Sequence, residues 1–139
     1  MQKFEWTDSL SVGVPMIDTQ HKELIAAFND LSDAIEQGTG STSIKKLLVF
    51  LQYFTEWHFG QEESCAAKHK CPIAGTNQQA HAKFLEIFGE LKTRYRESGA
   101  SEEIARQVHT QLADWLVSHI MTIDTQLGQC IRHRSTSVA

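Results

Sequence analysis

Apolar residues recur every three or four positions along four stretches of the chain, and polar, glycine-containing breaks separate the stretches. The first runs from about 19 to 37, with Leu24, Phe28, Leu31 and Ile35 on one stripe and Asp18 or Thr19 as its cap. After the break 38–43 (GTGSTS), a second stripe comprises Ile44, Leu47, Leu48, Leu51, Phe54, His58, Glu62 and Cys65, ending near Lys68. The loop 69–76 contains Pro72 and Gly75. Beyond it, Asn77, His81, Phe84, Phe88, Leu91 and Tyr95 follow the alternating four-and-three spacing of a bundle seam. Where this third helix starts is open: Pro72 suits a first turn, and Thr76 with Gln79 resembles a capping box. Ser101 then caps a fourth helix carrying Glu102 and Glu103 in its first turn and Ile104, Val108, Leu112, Trp115, His119 and Ile123 on its stripe.

No strand-like alternation and no internal repeat interrupts this pattern. The fold expected is all-α, an antiparallel up-down four-helix bundle with an extended N-terminal arm. Residues 1–18 form the arm, in which Gly13 and Pro15 discourage regular structure and Phe4 and Trp6 dock on the outside of the core. Residues 19–128 form the bundle. Residues 129–139 read as a flexible tail after fraying at Gly128.

Composition adds little beyond exclusions. A chain of 139 residues with 41% hydrophobic and 22% charged residues suits one globular domain. A formal charge of −4 without a Lys/Arg cluster argues against nucleic acid. No run approaches a membrane span and MQKFEW lacks a signal-peptide core, so a cytoplasmic, monomeric protein is expected. Three cysteines, Cys65, Cys71 and Cys130, cannot all pair internally and form no C-x-x-C, so a disulfide framework or zinc ribbon is not expected. Cys65 reads as a buried apolar residue.

The chemistry lies in the histidines. Each helix puts one on its inward stripe: His21, His58, His81 and His119. His58 and Glu62, four residues apart, project from one face one turn apart. Imidazoles and a carboxylate in an apolar core each need a partner, and a metal ion satisfies one nitrogen per ring while leaving the other for a hydrogen-bond acceptor. Asp124 lies five residues after His119, which rotates it by about 140° on an ideal α-helix. The two converge only if the turn widens to i→i+5, as π-bulges at functional sites do. Glu63 lies off the stripe and reads as solvated, and His109 and His133 lack inward spacing and read as surface residues. Glu-x-x-His pairs, the mark of ferritin-like two-iron bundles, are absent, as are a Ser/His/Asp arrangement and H-E-x-x-H.

The ordered motifs IDTQH, HFGQEE, a proline loop followed by a histidine, and HIMTID resemble the hemerythrins, specifically the single-domain bacterial ones, from Trp6 to about Asp124. The resemblance implies two non-haem iron ions with a bridging oxo or hydroxo group, and reversible binding of dioxygen or another small diatomic or anionic ligand. Carried over by position, His21 and His58 would hold the iron that binds dioxygen and His81 and His119 the other, with Glu62 and Asp124 bridging. Leu24, Phe28, Phe54 and Trp115 would line the gas pocket. One position departs: the family has a histidine where this chain has Asn77. Asn77 either serves the start of the third helix or acts as a weak or water-mediated ligand, leaving an open position on that iron. His69, on the far side of Pro72, is not a convincing replacement. Smaller residues around Cys65, Ala66 and Cys71 also depart from the family pattern. Oxygen storage, delivery or sensing is the leading expectation, a binding protein rather than an enzyme. The alternatives are a redox-active site reacting with peroxide or nitric oxide, and a site with partial or single metal occupancy.

Overall fold

The computed structural model describes residues 2–136. Four long helices, α1 (Pro15–Glu36), α2 (Gly40–Lys68), α3 (Ala74–Ser98) and α4 (residues 102–136), pack around one core in an all-α four-helix bundle. No strand occurs among the described residues. No helix there is long and apolar enough to cross a membrane. The seam is filled by side chains withdrawn from water, among them Ile17, Leu24 and Phe28 of α1, Ile44 and Leu51 of α2, Phe84, Phe88 and Leu91 of α3, and Leu112, Ile120 and Leu127 of α4. Burying each such side chain contributes about 1.5–3 kcal/mol before conformational entropy is subtracted.

Helix ends follow local chemistry. Helix α1 begins at Pro15, not at 19: proline suits a first helical position because its missing N–H has no helical partner there. Asp18 therefore sits within the first turn and does not cap it. Its carboxylate accepts hydrogen bonds from the Val12 backbone N–H (2.8 Å) and the Ser11 hydroxyl (2.6 Å), tying the arm to the helix. Ser101 caps α4 as expected, accepting from Ile104 N–H at 3.1 Å. Glu102 has a further role, since its two carboxylate oxygens accept from the Gly40 and Ser41 N–H groups at the start of α2 (3.1 and 2.5 Å). A carboxylate there complements the positive end of the helix dipole. Gly99 ends α3 at φ +76°, a left-handed conformation that glycine adopts without a Cβ penalty.

Helix α4 is continuous but twice widens by one residue into a π turn, at His109–Ala113 and Ile120–Asp124. The surface reading of His109, at the start of the first of these turns, is overturned: it is 3% exposed. Its ring meets Phe4 of the arm in a stacked contact (6.5 Å) and Phe28 edge-on (6.4 Å). His133, by contrast, is exposed.

Two expectations at the C-terminal end are also corrected. The segment from 129 is not a flexible tail but helix through Thr136, and residues 137–139 lie outside the described part. Buried Leu127 and Ile131 hold it to the bundle, and a Cys71–Cys130 disulfide ties it to the loop between α2 and α3 (Cα–Cα 5.9 Å). The parity of three cysteines excludes only full pairing, and here one pair forms. Cys65 is free and half-buried rather than fully inside. The N-terminal arm crosses the same helix at Gly128, where a Cβ would overlap the Val12 carbonyl oxygen. Gly128→Ala is therefore expected to displace the arm and lower stability by about 1–3 kcal/mol, read by thermal unfolding.

Candidate metal centre

The site is assembled from all four helices, toward the end of the bundle where α1 and α3 begin and α2 ends. Helix α1 contributes His21, α2 His58 and Glu62, α3 His81, and α4 His119 and Asp124, and each is 5% exposed or less. Glu62 is the hub. Its Oε2 lies 3.2 Å from His21 Nε2 and 3.4 Å from His58 Nε2, and its Oε1 lies 3.0 Å from His81 Nε2. Asp124 closes the opposite side, with Oδ2 at 3.1 Å from His21 Nε2 and Oδ1 at 3.2 Å from His119 Nε2. The π turn at Ile120–Asp124 is what lets His119 and Asp124 share a face, because the extra residue per turn offsets the rotation of a five-residue step.

These donors form two overlapping groups, His21, His58, Glu62 and Asp124 in one, and Glu62, His81, His119 and Asp124 in the other. Within each, one donor atom per residue lies within 4.8 Å of every other. The carboxylates belong to both.

Electrostatics argue that the cluster is built for cations. Burial and the charge of Asp124 push the Glu62 carboxyl above its usual range. Burial acts on Asp124 in the same sense, but His119 and His21 outweigh it and hold its pKa low. Burial opposes a charge on His21, yet Asp124 and Glu62 beside its Nε2 raise its pKa to about 9. Burial and the neighbouring His21 press His58 down to about 3. Two buried carboxylates facing one another are costly without positive charge between them. Several polar atoms also lack hydrogen-bond partners: His119 Nε2, both Asp124 oxygens and His21 Nδ1. The Asp124 approaches are close enough for ion pairing but not aligned as hydrogen bonds. Nitrogen and carboxylate donors in this mixture suit first-row transition ions such as iron, so the residues present fit a metal.

Outside the donors, two polar residues orient the rings, and neither was recognised from sequence. Gln20 Oε1 lies 2.5 Å from His58 Nδ1. Glu63, read as solvated, has Oε2 at 3.2 Å from His81 Nδ1. If each Nδ1 carries the proton, each Nε2 turns its lone pair inward. The signal available was adjacency: Gln20 precedes His21 and Glu63 follows Glu62.

Aromatic rings wall the cluster. Phe59 stacks on His81 (3.9 Å, 7°) and Trp115 on His119 (4.5 Å, 11°), while Phe54 lies at 6.2 Å from His58. The residues expected to line a gas pocket are thus divided. Phe54 borders the His21–His58 side, Trp115 the other, and Phe28 meets His109; Leu24, also buried, is on α1 beyond His21.

Asn77 lies inside α3, which begins at Ala74, so its side chain does not cap the helix. It is fully buried one turn before His81, and neither amide atom has a hydrogen-bond partner. His69 stays in the loop, its Nδ1 2.9 Å from the Cys65 carbonyl oxygen.

An all-α bundle with a buried, histidine- and carboxylate-lined site able to hold metal is the class that fold and site define. The chain belongs to the hemerythrin family: the Hemerythrin HHE cation binding domain matches residues 12–131. Among its relatives, a bacteriohemerythrin of Pseudomonas aeruginosa is 28% identical over 133 residues, 96% of this chain and 84% of the relative. A bacteriohemerythrin of Methylococcus capsulatus is 26% identical, covering 94% of this chain and 98% of the relative. The myohemerythrin of Sipunculus nudus is 26% identical, covering 87% and 88%.

Proposed function

We propose that this chain is a non-haem di-iron protein that reversibly binds dioxygen, for storage, delivery or sensing. The observation that carries the reading is the pair of overlapping donor groups sharing Glu62 and Asp124. His21 and His58 would hold one iron and His81 and His119 the other, with Glu62 and Asp124 available to both. Bound iron would supply the electrons for reversible dioxygen binding. The protein's own contribution is orientation and dryness: Gln20 and Glu63 fix two rings, and Phe59, Trp115 and Phe54 keep water from the imidazoles.

Cycling the iron-loaded protein between deoxygenated and aerated buffer is expected to give a reversible optical change. Irreversible bleaching on first aeration would contradict reversible binding. It would favour the second reading, a redox site reacting with peroxide or nitric oxide, for which the unpartnered Asn77 amide is the supporting observation. An exchangeable ligand at that position would leave room for a second reactant.

Metal uptake should depend on pH with a definite sign. In the metal-free protein His21, with its pKa raised to about 9, is protonated at neutral pH, whereas His58, pressed to about 3, is not. Metal must displace the His21 proton, so apparent affinity falls as pH falls below about 9, by up to about tenfold per pH unit for each proton released. Anaerobic calorimetry in buffers of different ionisation enthalpy should detect that proton. Uptake without proton release near neutral pH would show that His21 is not charged in the free site.

A further inference from the structure

The two halves of the centre differ in what stands behind their imidazoles. On the first side, the Nδ1 of His58 meets a neutral amide oxygen, that of Gln20. On the second, the Nδ1 of His81 meets a carboxylate, Glu63 Oε2 at 3.2 Å. A carboxylate accepting the Nδ1 proton makes the opposite nitrogen a stronger donor than an amide does. The same His81 ring is clamped face to face by Phe59 at 3.9 Å, so its direction is set by packing as well as by the hydrogen bond.

The second side is also the one lacking an imidazole. Asn77, one turn before His81 and on the same face of α3, is fully buried with both amide atoms unpartnered. An amide oxygen is a neutral and weak donor toward a transition ion. A half-site with two imidazoles and an amide would be the more easily emptied, unless one imidazole is made a better ligand.

We infer that Glu63 is a positioning residue that strengthens His81 toward the second metal and offsets the weak donor at Asn77, so that the two positions are energetically coupled. The inference rests on the two-metal reading above. Glu63 does not itself touch metal. It lies at the edge of the site, its side chain 35% exposed, where α2 meets α3.

Anaerobic titration of the full-length, metal-stripped protein with ferrous iron alone, against a competing chelator, tests this. In Glu63→Gln the second equivalent should bind about 10- to 100-fold more weakly, with the first shifted far less. Glu63→Asp should recover part of the loss, which a purely structural role for the side chain would not require. Asn77→His should tighten the second equivalent, and in that background Glu63→Gln should cost much less than in the natural sequence. Equal losses in the two backgrounds, or a Glu63→Gln protein that binds both equivalents as before, would overturn the coupling while leaving two metals in place. A natural protein that takes up no second equivalent would overturn the two-metal reading and this inference together. Helicity and melting temperature of each variant establish that the bundle is folded.

Discussion

Replacing Glu62 with glutamine should strip the protein of most of its metal while leaving its helices intact. Among the described residues, Glu62 is the side chain that reaches three of the four imidazoles, at 3.2, 3.4 and 3.0 Å. Its two oxygens are divided between the two donor groups. Glutamine keeps the volume, so the core around it should not collapse. It replaces a carboxylate shared by the two donor groups with a neutral amide whose NH₂ end turns donor hydrogens toward the same region. Both metal positions should weaken at once, and metal content should fall from about two per chain to less than one. Any stabilisation that metal gives the fold should vanish with it, a shift of about 3 kcal/mol where free metal is about a hundredfold above its dissociation constant. Thermal unfolding with and without ferrous iron reads this directly. A variant that still took up two metals and gained the same stability would remove Glu62 from the centre.

The second large effect concerns the disulfide. Cys71 and Cys130 are separated by 59 residues, and their bond ties the α2–α3 loop to the last helix. In the chain-entropy account, closing a loop of this length in the unfolded state stabilises the fold by about 4 kcal/mol. Cys71→Ser with Cys130→Ser, or reduction by a dithiol, should therefore lower the melting temperature by roughly 10–20 °C. The helix should survive, because Leu127 and Ile131 remain buried. The lever lies close to the centre in sequence: Cys130 is six residues beyond Asp124, and Cys71 six before Asn77. A change below about 1 kcal/mol would mean that the packing of Leu127 and Ile131 already supplies nearly all the constraint.

The bundle and the four inward histidines were legible because helical period alone assigns a residue to a face, and each histidine fell on an apolar stripe. Asp124 required a widened turn, which the structure contains. His109 was missed for another reason: it stands one turn after buried Ala105, beside the Val108 stripe, and is covered where Phe4 of the arm and Phe28 meet its ring. Glu63 and Gln20 escaped notice for a different reason. Each is next in sequence to a donor, but each acts on a ring belonging to another helix. The period of one helix contains no information about its neighbour's reach. The Cys71–Cys130 pair is equally non-local, and without it the polar segment after Gly128 looked too weakly apolar to stay helical. Asn77 stands out through the resemblance, yet only its position inside α3, which begins at Ala74, rules out the helix-cap explanation.

The most direct test is the metal content of the full-length protein purified anaerobically and loaded with ferrous iron. About two irons per chain are expected, with the second lost first under a chelator, because on the proposed reading Asn77 stands where that side would have an imidazole. One iron per chain, or none, in a folded protein would contradict a centre in which Glu62 and Asp124 bridge two metals.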